Sequence, residues 1–254
     1  MNQKKLSGSG FEVAFIFGDS LVFTPHTHKE YVISANLLGN EDLVLDGCPM
    51  KAQEGAITLY NPGQIQSGTG ALCLLSIYLE PQFFKQSYFT NTQVFFDEPI
   101  VTDKLLLSNL RSFVTHLLGD TTPEILEENL LETVDTILNR YTTENSQHST
   151  HCDSRTNTIK AILIDNIDKT ISLDDLSNEI NINKLSLLKM FSKAVGYPPI
   201  TWQRIQRVAI ARQQLRGGKT ISDVAYDLGF SDQSHLTRLF GKAYGISPLK
   251  FSKR

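Results

Sequence analysis

Two polar stretches near the C-terminus hold the residues best suited to chemistry. One contains Lys184, Leu185, Ser186, Leu188, Lys189 and Ser192, and the other Gln233, Ser234, His235, Thr237, Arg238 and Lys242. Leu187 and Phe191 run through the first at helical spacing, Leu236 and Phe240 through the second. Each stretch therefore predicts a helix with one buried face and one polar face. Gln, Arg and Thr reach base edges through paired hydrogen bonds or methyl contacts, and Lys suits phosphate. The implied partner is double-stranded DNA. An ordinary solvated face explains either helix taken singly, but not the matched surroundings of the two.

Those surroundings form a repeat. At an offset of 48, Leu173 pairs with Ile221, Leu176 with Val224, Ser177 with Ala225, Ile180 with Leu228 and Asn181 with Gly229. One extra residue then shifts the offset to 49, which pairs Asn183 with Asp232, Leu187 with Leu236, Phe191 with Phe240, Gly196 with Gly245 and Pro199 with Pro248. Each copy reads as helix, tight turn, helix. Asn181 and Gly229 stand where a turn needs tolerance of positive φ, Ser177 and Ala225 are small enough for helices to cross closely, and Asn183 and Asp232 can cap the second helices. This is the logic of helix-turn-helix units, placed at 173–195 and 221–244. Between them a predicted helix over 201–215 buries a stripe of Ile205, Val208, Ala209 and Leu215. It carries Arg204, Arg207, Arg212 and Arg216 as candidates to face phosphate, alongside Ser186, His235 and Lys242.

Charge divides the chain in the same place. Residues 154–254 hold 16 Lys+Arg and 8 Asp+Glu, a net of +8, and residues 1–153 a net of −11, against −3 for the whole chain. Only the basic part is expected to meet a polyanion. The 16 residues at 142–157 are polar and read as a linker. Residues 1–10 read as a loose tail. Over 11–98, short β-type runs separated by Gly39-Asn40, Asp46-Gly47 and Asn61-Pro62-Gly63 suggest an antiparallel sandwich or barrel. Residues 99–141 read as a helical hairpin, with apolar spacing through Ile125, Leu130, Val134, Ile137 and Leu138. Packing on the sheet and pairing with a second copy both fit that hairpin. No apolar run is long enough to span a bilayer. Three scattered cysteines suggest no disulfide framework, and a reducing cytoplasm is the simplest home.

The stretch ISDVAYDLGFSDQSHLTRLFGKAYGISPLKF resembles the signature of AraC/XylS-type transcription regulators, and the likeness extends over residues 158–254. The resemblance implies a two-unit DNA-binding domain. Base contacts would come from Leu185, Leu188 and Lys189 (with Lys184 beside them) in the first unit, and from Gln233, Ser234, Thr237 and Arg238 in the second. Leu188 and Lys189 depart from the family's usual polar residue and Arg. HTHKEYVIS followed by GAITLYNPGQIQSG resembles the family's cupin-like sensor domain. The fold class expected is thus α+β with two domains, a cupin-like β-barrel with a helical hairpin and an all-α DNA-binding domain. In a metal-binding cupin the HxH pair is joined by a later Glu and a later His; here Glu30 comes too early and Gln66 stands at the His position. Two imidazoles and an amide make a poor metal site, so no metal or cofactor is expected. His26, His28, Tyr31, Tyr60 and Gln66 are read as lining a small-ligand pocket, against the alternative that they only fill the barrel. RNA polymerase is a further expected partner, a homodimer follows if the hairpin pairs with a second copy, and activation is the commoner outcome in the resembled family. With no nucleophile–base motif, phosphate loop or paired-carboxylate signal, no catalysis is expected. The competing expectation is a cupin-type metalloenzyme with a helical appendage.

Overall fold

The computed structural model describes residues 2–8, 10–83, 94–144 and 154–252. The N-terminal half is built on two antiparallel sheets. The larger contains β1 (Asn2–Gly8), β2 (Phe11–Phe17), β4 (Tyr31–Leu38), β7 (Ile57–Tyr60), β9 (Cys73–Leu79) and β11 (Ile100–Val101), in the order β1-β2-β9-β4-β7-β11. The smaller contains β3 (Val22–Thr27), β5 (Glu41–Leu45), β6 (Cys48–Ala52) and β8 (Ile65–Thr69), in the order β3-β8-β5-β6. The sheets face one another without closing into a hydrogen-bonded ring, so the expected barrel is an open, two-sheet version of itself.

Strand alternation assigns the two faces of the larger sheet. Phe11, Val13, Phe15, Tyr31, Ile33, Leu59, Leu75, Ile77 and Leu79 point away from the smaller sheet, under helices α1 (Lys104–Leu118) and α2 (Pro123–Tyr141). The helices answer with Leu106, Leu110, Phe113, Leu126, Leu130, Val134 and Ile137. The opposite face carries Ser34, Thr58, Tyr60, Ser76 and Tyr78 towards the smaller sheet, so a polar lining lies inside an apolar shell. Asp103 caps α1 at Leu105 and Leu106 and also accepts from Arg140 at 2.7 Å and Tyr141 at 2.8 Å, which closes the hairpin. The buried stripe of α2 runs through Leu126 where Ile125 was expected, and Ile125, Leu105, Leu118 and Leu131 stay exposed.

Two expected segment boundaries change. The loose tail becomes strand β1, which pairs with β2 along its whole length; an edge strand is held by its backbone and needs little apolar content. The linker loses both ends. Thr142–Glu144 form β12, paired with β10 (Val94–Phe96), and α3 starts at Ser154. Residues 145–153 lie outside the described residues.

The C-terminal half is helical: α3 (Ser154–Asp165), α4 (Leu173–Glu179), α5 (Lys184–Val195), α6 (Pro199–Arg216), α7 (Ile221–Asp227), α8 (Gln233–Tyr244) and α9 (Pro248–Ser252). It has two small cores. Leu163, Leu176, Leu187, Phe191, Trp202 and Ile205 make the first, and Val208, Ala211, Leu215, Val224, Leu236 and Phe240 the second. Helix α6 supplies both, its first half to one and its second half to the other, with Ala211 rather than Ala209 in the buried stripe. At 18 residues it is about 27 Å long and ties the two units into one body.

Candidate functional site

Each unit presents its second helix through a tight turn and a cap. Asn181 and Gly229 occupy the left-handed region at φ 52° and 65°. Gly229 has a second constraint, since any Cβ there would sit 1.8 Å from the Asp168 carbonyl oxygen. Asn183 accepts from the Ser186 amide at 2.9 Å and Asp232 from the His235 amide at 2.8 Å, which starts α5 and α8. Leu187, Phe191, Leu236 and Phe240 are fully buried beneath them.

On the outer face of α8, Gln233, Ser234, Thr237, Arg238 and Lys242 are exposed together. His235 is half-buried, its ring edge on Phe230 at 5.7 Å and its Nδ1 3.1 Å from the Ser231 hydroxyl. On α5 the exposed groups are Lys184, Leu185, Ser186 and Lys189, while Leu188 is half-buried. Lys184 is ion-paired with Asp174, and Leu185 leaves 61% of its surface in solvent. The first face is thus more apolar and its charge partly matched.

The four arginines of α6 divide. Arg204 is exposed. Arg207, read from the sequence as a phosphate contact, donates to the carbonyls of Lys169 at 2.9 Å and Gly229 at 3.4 Å and stacks over Phe230. It holds the second turn against the α3–α4 loop, because an arginine beside a helix crossing finds backbone acceptors nearer than solvent. Arg212 and Arg216, also read from the sequence as candidates to face phosphate, point into the N-terminal half. Arg212 reaches both oxygens of Glu30 at 2.7 and 2.8 Å, and Arg216 bridges Glu30 at 2.5 Å and Glu12 at 3.0 Å. Glu30 and Arg212 are both buried. Burial pushes the Glu30 carboxyl up, but the two guanidiniums outweigh it and hold it below its ordinary value. Arg212 lies against the rings of Tyr78, Tyr244 and Phe251.

More contacts fasten the halves. The Tyr244 hydroxyl donates to the Thr27 carbonyl at 3.1 Å, and its ring meets His26 and His28 edge-on at 5.3 and 5.4 Å. The β5–β6 turn touches the end of α5 backbone to backbone; a Cβ on Gly196 would fall 2.3 Å from the Asp46 carbonyl oxygen. The β-rich half therefore grips the first unit, α6 and the second unit at once.

Of the five expected pocket residues, His26, Tyr60 and Gln66 line an inner cavity between the sheets. His28 sits beside it at the junction, packed on Tyr78 and Tyr244. Tyr31 does not belong. It shares a face with Ile33 and Ala35, donates to the Val94 carbonyl at 2.7 Å and packs on Phe96. Nor does a metal fit. The Nδ1–H of His26 donates to the Thr24 carbonyl at 2.8 Å, so its Nε2 must accept, and it receives the Gln66 amide at 3.3 Å. Both nitrogens are occupied. His28 Nδ1 lies 3.9 Å from Glu30, too far for a hydrogen bond, and burial with the nearby Arg212 keeps its ring neutral. Among the described residues no cluster of three His, Cys, Asp or Glu could hold a metal.

A model of the AraC-like ligand binding domain matches residues 12–133, and a helix-turn-helix domain model matches residues 176–254. The chain belongs to the AraC family of transcription regulators. This AraC-family regulator is 23% identical over 246 residues to the arabinose operon regulatory protein of Salmonella typhimurium, covering 92% of this chain and 87% of that protein. It is 28% identical over 96 residues to the transcriptional activator RhaS of Escherichia coli O157:H7, covering 37% and 34%. The fold is shared with ToxT of Vibrio cholerae strain SCE256. A lysine-to-alanine variant in its apo form gives a TM-score of 0.54 at 15% identity over 97% of this chain and 98% of that one; the wild type with unsaturated fatty acid bound gives 0.54 at 14% over 99% and 95%. The regulator thus combines a ligand-binding domain with a DNA-binding domain, and no helix among its described residues is long and apolar enough to cross a membrane.

Sequence reasoning missed Glu30 as an anchor, and Arg212 and Arg216 as its partners; their separation of over 180 residues leaves no local signal. The junction of the AraC-family regulator also carries a pH dependence. Burial, opposed by the Thr24 hydrogen bond and aided by the nearby Arg212, lowers His26 from 6.5 to about 4. The folded state therefore resists protonation that the unfolded chain accepts. This stability is complete above pH 6.5 and is lost as pH falls towards 4, by roughly 3 kcal/mol at about 1.4 kcal/mol per unit. His26→Asn should flatten the stability–pH curve across that window in denaturant titrations, and an unchanged slope would count against a buried neutral imidazole.

Proposed function

We propose that the regulator recognises a specific double-stranded site with α8 as its main reader of base edges, through Gln233, Ser234, Thr237 and Arg238. In the same reading α5 contributes Leu185, Leu188 and Lys189. Lys184, Ser186, Arg204, His235 and Lys242 serve phosphate in this reading, whereas Arg207 acts by holding the second turn. The observation that carries this is the pair of capped helices, matched in sequence and carried on one shared α6, with exposed polar groups on their outer faces. A small-molecule effector in the N-terminal domain then shifts the equilibrium between docked and undocked arrangements, to the extent that it binds one more tightly. Activation through contact with RNA polymerase, cytoplasmic action without catalysis, and pairing of two copies through the exposed Leu105, Leu118, Ile125 and Leu131 complete the reading.

Selection of duplexes from a random pool by the full chain, followed by a salt titration on the winner, tests it. A single enriched motif is expected. Log affinity should fall linearly with log salt, at about 0.9 per phosphate contacted, giving a slope of about −3 for Lys184, Arg204 and Lys242. No enriched motif, or a flat salt response, would overturn the reading.

A further inference from the structure

The inner cavity has an uneven hydrogen-bond inventory. Its hydroxyls are matched among themselves: Ser34 with Ser76 at 2.9 Å, Thr58 donating to the Ser34 carbonyl at 3.2 Å, Tyr60 with Thr58 and Tyr78 with Ser76. The remaining groups can be followed in order. The Thr24 carbonyl accepts only, so His26 carries its proton on Nδ1 and accepts at Nε2. Gln66 must then turn its amide nitrogen to His26. Its Oε1 is left buried with no partner, on a residue 9% exposed.

The second orphan is Glu41. Alternation along β5 points it inward with Leu43 and Leu45, and it is 8% exposed. Its carboxyl has no hydrogen-bond or ion-pair partner among the described residues. Space for it comes from Gly68 on the neighbouring strand, where a Cβ would fall 2.0 Å from Glu41 Oε1. Burial of that carboxyl without compensation raises it to about 7. A buried carboxyl with nothing to receive is costly, and native interiors rarely keep one without a use.

Both unsatisfied residues thus offer acceptors. The group that complements two acceptors, one of them a carboxylate, is a donor-only cation, and Phe23, Tyr60 and Tyr78 supply aromatic walls around it. Arg212 stacks on Tyr78 but is already matched by Glu30, so it does not compete for Glu41. We propose that the cavity between the two sheets is the binding site for a small primary amine, whose ammonium group donates to Glu41 and Gln66. This rests on the reading of the N-terminal domain as an effector-binding domain and names the chemical class of its ligand. The cavity volume is about 50 Å³. At roughly 10–15 Å³ per water-sized occupant, about four non-hydrogen atoms fit. Phe23, Ser67 and Gly68 are shared with an open groove of about 760 Å³ outside, beside the place where the β3–β8 register shifts between Phe23 and His26. A longer amine would extend its tail there.

The test uses the full chain and ethylamine as probe, with ethanol and ethylene glycol as neutral controls, read by calorimetric titration and by saturation-transfer NMR. Ethylamine is expected to bind where the neutral controls do not. Glu41→Gln should weaken it at least tenfold. That variant keeps the side-chain shape and removes a buried charge, so it is expected to fold with a raised melting temperature. Gln66→Met, which keeps the length and removes the second acceptor, should weaken binding severalfold. Ethanol or ethylene glycol binding as well as ethylamine would overturn the amine assignment and leave the effector-domain reading standing. Ethylamine binding equally to wild type and both variants would overturn the site. No binding by any of the three, with operator binding intact, would overturn the amine proposal and count against an effector site in this cavity.

Discussion

Arg238→Ala is expected to lower affinity for the selected duplex by about 5- to 150-fold, corresponding to roughly 1–3 kcal/mol, and to relax base choice at one position. Arg238 lies beside Thr237 on the exposed face of α8, away from the buried Leu236 and Phe240, in the second turn after the Asp232 cap. Its forked guanidinium suits paired acceptors such as the O6 and N7 of guanine. Because the side chain is exposed, its removal should leave the melting temperature unchanged. Lys242→Ala gives the contrast: a compact ammonium on phosphate should weaken all duplexes to a similar degree and shrink the salt slope by about one unit. Mobility-shift titrations on the selected duplex and on a scrambled one separate the two behaviours. If Arg238→Ala weakened both duplexes equally, Arg238 would be a phosphate contact and the base-reading role of α8 would have to move to Gln233, Ser234 and Thr237.

The helix-turn-helix units were the most legible part of the chain because their determinants are local. Asn181 and Gly229 in the left-handed region, the Asn183 and Asp232 caps, and Leu187, Phe191, Leu236 and Phe240 in the cores all act within a dozen residues of one another. A repeat doubles that signal. The β-rich half was harder. The larger sheet is covered on both faces, so its strands read as continuous apolar runs and the inner and outer positions blur. Tyr31 shows what remained readable: in YVIS, Tyr31 and Ile33 share a face by strict alternation, and that parity alone sets Tyr31 under the helical hairpin and away from Ser34 and the cavity. Strand β1 was hidden for the opposite reason, since backbone pairing at a sheet edge leaves little trace in side-chain polarity.

The charge split showed that an acidic half meets a basic half, but not that some of the opposite charges meet each other. Arg204, Arg207, Arg212 and Arg216 follow one another at intervals of three to five residues along one helix, and only the tertiary fold separates solvent-facing Arg204 from Arg212 and Arg216 at the junction. Glu41 had no motif around it; its meaning comes from what surrounds it and from the missing partner.

The junction supplies the other large expected effect. Glu30→Ala removes the anion that holds Arg212 and Arg216, and leaves the buried Arg212 charge unmatched, at a cost of about 3–5 kcal/mol. That cost falls only on the docked arrangement, since undocking returns Arg212 to water. The variant is therefore expected to separate its halves rather than unfold. Calorimetry should show the single cooperative transition expected of the wild type split into two, and small-angle scattering should show a larger radius of gyration. Arg212→Ala should do the same, and combining Glu30→Leu with Arg212→Met should cost much less than either charge deletion alone, because replacing both members of a buried pair leaves no orphan. Operator affinity should shift in step with undocking in the single variants and by less than their sum in the pair. Tyr244 and Gly196 carry the same junction to the ends of α8 and α5, so the position of both recognition helices depends on it. A Glu30→Ala protein that melts once, at the wild-type temperature and with wild-type dimensions, would mean that the clamp contributes nothing to docking, and the coupling between effector cavity and DNA would then have to run through the backbone contact at Gly47 and Gly196.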